Sequence, residues 1–167
     1  MMNICYQKIA SPIGAIYIVA DSSYLRAIVF ACNWEKTMKT WGDIRFESND
    51  IIQQTRTQLG EYFALERTEF DLPLIFTGTE FQQQTWQALL AVPYGETRSY
   101  SEQAHLIGHP KAVRAVGRTN GLNPLPILVP CHRIIGKSGQ LTGYAGGLDI
   151  KRFLLQLESN RGSRTIE

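Results

Sequence analysis

Apolar residues gather in short strand-like runs through the first thirty positions, and the texture turns helical from Thr79. Ile4 to Ile9 and Ala15 to Val19 flank Ser11-Pro12-Ile13-Gly14, whose turn-forming residues predict a β-hairpin. Leu25 to Phe30 reads as a third strand. From Asp50, read as an N-cap, Ile52, Leu59 and Phe63 recur at turn-related spacing and predict a helix. Leu72 to Phe76 is short, apolar and β-like. Thr77-Gly78-Thr79 interrupts the pattern and divides the chain into 1–76, a small α/β domain, and 77–167.

The second part is mainly helical. Thr79-Glu80-Phe81-Gln82 is a capping-box pattern, followed by Phe81, Trp86, Leu89 and Leu90 on one broad stripe, and Pro93-Tyr94-Gly95 stops that helix. Ser99-Tyr100-Ser101-Glu102 is a second capping box, opening a short helix that Gly108 ends. Pro110 suits the first turn of another helix, Lys111 to Thr119, so the pair forms a helix-turn-helix signature. Asn123-Pro124-Leu125-Pro126 makes a stiff connection into an apolar, strand-like Ile127-Leu128-Val129. Gly136-Lys137-Ser138-Gly139 is a turn and Gly143 to Gly147 a permissive loop. A last helix is expected from Asp149, its cap, to Ser159, with a frayed polar tail beyond residue 160.

Composition narrows the class. The chain has 167 residues, 44% hydrophobic and 19% charged, as in an ordinary globular protein. It shows no apolar run long enough for a membrane span and no signal-peptide pattern from Met1 to Asp21, so a cytoplasmic protein is expected. Cys5, Cys32 and Cys131 are odd in number and widely spaced, which argues for reduced thiols rather than a disulfide framework. All three histidines fall in the second half and no cysteine pair has ligand spacing, so a metal is not expected. The net charge of +2 hides an asymmetry. Residues 1–76 hold seven basic against nine acidic residues, and the remainder ten against six.

That basic half contains an unusual helix. Ala112, Val113, Ala115 and Gly117 are small, while Lys111, Arg114 and Arg118 are cationic. Small residues let a backbone approach a groove and cations meet phosphates; the alternative is a helix packed tightly on its neighbour with solvated charges. Downstream, Pro130-Cys131-His132-Arg133 joins a thiol, an imidazole and a guanidinium. Cysteine reacts as its thiolate, and basic neighbours raise the thiolate fraction. The alternative is a structural core cysteine. Arg133 is open between a phosphate contact and a surface charge.

A helix-turn-helix followed by Pro-Cys-His-Arg resembles the O6-alkylguanine-DNA alkyltransferases, or methylated-DNA–protein-cysteine methyltransferases, and most of all their bacterial stand-alone kind. The likeness is dense from Phe81 to Glu158, through Phe81 to Trp86, Pro110 to Gly117, Ile127 to Gly136 and Leu141 to Leu148. It implies a ribonuclease-H-like first domain, with a small antiparallel sheet plus helix, and a winged helix-turn-helix second domain. It also implies direct-reversal repair. An alkyl group would pass irreversibly from O6 of guanine, and also O4 of thymine, to Cys131 after base flipping, with no cofactor.

The resemblance further implies residue roles. Arg114 enters the base stack, with Ala112, Ala115 and Gly117 in the minor groove and Asn123 bracing the following turn. Tyr100 protonates the departing ring, His132 deprotonates Cys131 through a water, and Glu158 orients His132. Pro126, Ile134, Tyr144, Ala145 and Gly146 line the base pocket; some relatives carry serine where this chain has Ala145. The expected partner is double-stranded DNA containing O6-alkylguanine, bound by a monomer. Rival readings are a non-transferring damage sensor, which Cys131 argues against, a winged-helix transcription regulator and a cysteine hydrolase.

Overall fold

The computed structural model describes residues 3–166, with side chains through Glu158 and Ser159. It separates into two compact units, Met1–Ile75 and Phe76–Glu167. Among the described residues no helix is long and apolar enough to cross a membrane, and no His/Cys/Asp/Glu cluster could hold a metal ion.

The first unit is a four-stranded sheet ordered β3-β2-β1-β4 with two helices. β1 (Cys5–Ile9) and β2 (Ile16–Ala20) form the expected antiparallel hairpin, and β3 (Leu25–Phe30) extends it. The hairpin turn is tied by Ser11, whose Oγ donates to the Gly14 carbonyl at 2.6 Å and accepts from Ile13 N at 3.2 Å. Gly14 takes a φ of 95°, open to glycine at no steric cost. Pleating sends Val19, Ala27 and Val29 to one face, where they pack with Trp34; Tyr17 stacks on the Trp34 ring at 4.1 Å. The alternate residues Ile16 and Ile18 face the other way and are fully buried, and α2 (Asp50–Phe63) packs on the sheet through Ile52, Leu59 and Tyr62.

Four features of this unit differ from the sequence expectation. The cap of α2 is Asn49, not Asp50: Asn49 Oδ1 accepts from Ile52 N at 2.9 Å, so Asp50 is already helical. Leu72 to Phe76 forms no strand, only a single bridge from Leu74 to Leu25, because Pro73 has no N–H to continue a ladder. A short helix α1 (Trp34–Trp41) and a two-residue strand β4 (Arg45–Phe46) were not anticipated. β4 runs parallel to β1, which makes the sheet mixed rather than purely antiparallel.

In the second unit both capping boxes form as read. Thr79 opens α3 (Glu80–Leu89) and Ser99 opens α4 (Tyr100–Leu106), each with reciprocal bonds to its N3 side chain. α5 begins later than expected, at Val113–Asn120. Ala112 N donates to His109 O at 2.9 Å, so Pro110, Lys111 and Ala112 form a turn before the helix. Buried polar bonds lock the three helices together. The Gln103 and Asn120 amides pair reciprocally at 2.9 and 2.7 Å, and Trp86 Nε1 donates to Thr119 O at 2.9 Å.

The small parallel pair β5 (Arg98–Ser99) and β6 (Ile134–Ile135) supplies the wing. The final helix, α6, runs Leu148–Ile166, past the expected end at Ser159, with no proline to stop it; side chains from Asn160 onward lie outside the described residues. Asp149 is in its first turn rather than at its cap, paired with Arg152 at 3.2 Å.

Candidate active site

The segment expected as a strand before Cys131 is a folded turn. Ile127 has a φ of 75°, in the left-handed region that branched residues seldom occupy, so the surroundings must hold it there. Asn123 does much of this. Its Oδ1 accepts from Leu125 N at 2.9 Å and its Nδ2 donates to Val129 O at 2.7 Å, while Val129 N reaches Leu125 O at 2.9 Å. Asn123 therefore closes the loop that carries α5 into the thiol segment, and Leu125, Pro126, Ile127, Leu128 and Val129 are all buried around it.

Cys131, His132 and Arg133 then form one turn of 3₁₀ helix. Its threefold repeat fans successive side chains by about a third of a turn, so Cys131 and His132 diverge while His132 and Arg133 both reach α6. His132 is fully buried, and its Nε2 lies 2.6 Å from Glu158 Oε2. Arg133 is buried as well. It donates from Nε to Glu158 Oε1 at 2.8 Å, from Nη2 to Oε2 at 3.1 Å and from Nη1 to Val92 O at 2.8 Å, with its guanidinium 5.6 Å from the centre of the Tyr94 ring. The Arg133 side chain thus faces inward, and it is neither a phosphate contact nor a surface charge. Glu158 sits inside α6 rather than near its end.

The charges in this triad set the protonation states. Burial alone would raise the Glu158 pKa, but the hydrogen bonds and positive charges of His132 and Arg133 hold it at about 2. An ionised carboxylate only accepts, so neutral His132 carries its proton on Nε2 and presents a lone pair at Nδ1. That Nδ1 is buried and receives no hydrogen bond from the described protein groups. Burial lowers the His132 pKa, against the raising effect of Glu158, so the imidazole is neutral. Burial pushes the Cys131 thiol up to about 11, with a hydrogen bond from Asn123 and the charge of Lys151 pulling partly back. At neutral pH the resting sulfur is a thiol.

Around this core the loop between β6 and α6 brings in Tyr144, whose hydroxyl is buried and whose pKa is raised by burial and by the nearby Cys131 and Glu158. Ile134 is fully buried, whereas Gly146 is half-buried and Ala145 exposed. Tyr100, the first residue of α4, meets Thr142 Oγ1 at 2.5 Å. Lys151 of α6 is enclosed, with Nζ donating to Thr142 O at 3.1 Å. Thr142, Lys151 and the inward role of Arg133 were missed from sequence; nothing local marks them. A cavity of about 180 Å³ lies between α3 and α4 and touches Ile134 from the side of Val92 and Leu106.

On α5 and the turn before it, Val116, Thr119 and Asn120 are buried, Lys111, Arg114 and Arg118 are exposed, and Ala112, Ala115 and Gly117 are half-buried.

A buried Cys-His-Glu constellation joined to a helix-turn-helix defines a nucleic-acid-directed thiol protein. Two family models match the chain: 6-O-methylguanine DNA methyltransferase, ribonuclease-like domain, over residues 4–76, and the DNA binding domain of the same family over residues 80–160. The chain belongs to the 6-O-methylguanine DNA methyltransferase family. A methylated-DNA–protein-cysteine methyltransferase of Methanosarcina acetivorans is 48% identical over 155 residues, 93% of this chain and 98% of its own length. The crystal structure of Mycobacterium tuberculosis O6-methylguanine methyltransferase aligns with a TM-score of 0.85 and 47% identity, covering 95% of this chain and 94% of that one. The Mycobacterium tuberculosis OGT in complex with DNA matches equally well, at 0.85 and 47% over 93% of each chain.

Proposed function

We propose that this protein repairs DNA by direct reversal, moving one alkyl group from O6 of guanine, or O4 of thymine, to the sulfur of Cys131. The observation that carries the reading is the buried His132–Glu158–Arg133 triad beside a buried Cys131. It is a neutral base held in one tautomer, next to a thiol that is inert until that base acts.

A target inside a duplex is out of reach, so the base is first extruded, at a cost of roughly a few kcal/mol. The exposed Arg114 fills the vacated stack, while Ala112, Ala115 and Gly117 let the backbone approach the minor groove. Asn123 keeps that helix in register with the thiol segment. The flipped base lies among Pro126, Ile134, Tyr144, Ala145 and Gly146. With a thiol pKa of about 11, forming the thiolate at pH 7 costs about 5 kcal/mol. His132 meets part of that by taking the proton through a water at Nδ1, and the Glu158 carboxylate stabilises the imidazolium. The sulfur attacks the alkyl carbon in line, the C–O6 bond breaks, and Tyr100 gives a proton to a ring nitrogen as its basicity rises. The product is a thioether, so each molecule acts once, as a monomer on duplex DNA, with no cofactor.

Intact mass after mixing with an O6-methylguanine duplex tests this directly. The expected result is a gain of one CH₂ mapped to Cys131 and absent in Cys131→Ala. Tight binding with no gain would instead establish a damage sensor.

A further inference from the structure

The Tyr100 phenol has a protein partner that the transfer chemistry above does not use. Its oxygen lies 2.5 Å from the hydroxyl of Thr142. Thr142 is itself anchored, because its carbonyl accepts from Lys151 Nζ at 3.1 Å. Lys151 is fully enclosed on α6, and its ammonium lies 5.9 Å from the centre of the Tyr100 ring. α5 also borders the ring: a Cβ built on Gly117 would meet Tyr100 Cδ1 and Cε1 at 3.6 and 3.7 Å. Three segments thus bound this side chain, and what is left to vary is the direction of its O–H hydrogen.

We propose that Thr142 is a positioning residue for Tyr100, its hydroxyl donating to the phenolic oxygen so that the phenol's own hydrogen points at the departing base. The proposal rests on the reading of Tyr100 as the proton donor. A phenol offers one hydrogen and accepts on its oxygen. Were Thr142 the acceptor, that hydrogen would be engaged and unavailable to the ring. With Thr142 as donor the hydrogen is free, and the bond strengthens as negative charge grows on oxygen. The Lys151 ammonium over the ring adds attraction in the same sense.

The proton count closes. As the C–O6 bond breaks, its electron pair passes into the purine and a ring nitrogen takes the Tyr100 proton. The O–H pair stays on the phenolic oxygen, held by Thr142. The thiol proton rests on His132, and its return through solvent to the phenolate restores a neutral site.

Single-turnover transfer from a methylated duplex tests the pairing in a double-mutant cycle. Thr142→Val should slow transfer about 10- to 100-fold, the range for losing a bond to a charged oxygen. Thr142→Ser should stay within about twofold of the parent. In a Tyr100→Phe background Thr142→Val should have no further effect, since the group it orients is gone. Thr142→Ala removes the hydroxyl without adding bulk and repeats the test if valine crowds the loop. Equal slowing by Thr142→Val in both backgrounds, or no rescue by serine, overturns the proposal while leaving Tyr100 as the donor. A parental rate for Tyr100→Phe overturns the donor reading and this proposal with it; absence of transfer by the parent protein defeats the repair function itself.

Discussion

Replacing Arg133 with methionine isolates the charge at the centre of the triad. Methionine keeps much of the apolar stem, so the change falls on the guanidinium. That group is lost from a residue 6% exposed, with its bonds to Glu158 at 2.8 and 3.1 Å and to Val92 O at 2.8 Å. Glu158, 3% exposed, would keep its charge without the counterion. Breaking one partner out of a buried pair costs about 3–5 kcal/mol, a large part of the roughly 5–15 kcal/mol that holds a domain folded. Urea unfolding should show a lower midpoint at an unchanged slope.

Glu158→Gln alone should also destabilise, by stranding the guanidinium. The double variant should lose less than the two single losses combined, because neither charge is then left alone. Activity offers a second readout. The positive charge of Arg133 holds the His132 pKa down, so its removal should move the acid limb of the transfer rate to higher pH. The groups around His132 that set this limb are Glu158, Arg133 and Lys151. A loss below about 1 kcal/mol, the value for exposed pairs, or strict additivity in the double variant, would refute the reasoning.

Stability should fall at both ends of the pH scale. The lowered pKa values of His132 and Glu158 stabilise the fold above their ordinary values, so melting temperature should drop as pH falls below 6.5 and again from 4.5 toward 2. Cys131 is raised from 9.0 to about 11, so its contribution is present below pH 9 and about 2 kcal/mol is lost by pH 11; Cys131→Ala should flatten that alkaline limb, and an unchanged limb would contradict the burial of the thiol. Asn123→Ala leaves Leu125 N unpaired inside the protein and takes one of two donors from Val129 O, which keeps Cys131 N at 2.8 Å. At about 1–3 kcal/mol per stranded group, thermal unfolding should show a clear loss, with transfer slowed through misplacement of Cys131. Arg114→Ala should slow repair of duplex DNA by about 10- to 100-fold, the equivalent of the flipping cost, while reaction with free O6-methylguanine stays unchanged; equal losses on both substrates would contradict a role in base extrusion.

The parts legible in the sequence share a physical property: their partners lie within a few residues. The Ser11–Gly14 turn and the Thr79 and Ser99 capping boxes are closed by bonds three positions apart or fewer, so composition at fixed offsets announces them. The α1 helix was not anticipated: Trp34, Met38 and Trp41 stand at helical spacing, but eight residues are too short a run to announce it. Family-like blocks made Cys131, His132, Glu158 and Tyr100 visible as residue types.

What they do to one another is another matter. His132 and Glu158 are 26 residues apart, Arg133 and Glu158 are 25, and Tyr100 and Thr142 are 42. No local rule orients such pairs. Whether Arg133 faces phosphate or carboxylate depends on a 3₁₀ turn that directs it inward and on α6 placing Glu158 there. β4 could be recognised only beside β1, and the left-handed Ile127 only within the closure that Asn123 makes. The sequence by itself determined which chemical groups this protein owns and which short segments would be helix, turn or strand. The tertiary structure alone decided which thiol is desolvated, which imidazole is neutral and which guanidinium is hidden, because burial and charge pairing arise from neighbours that only folding brings together.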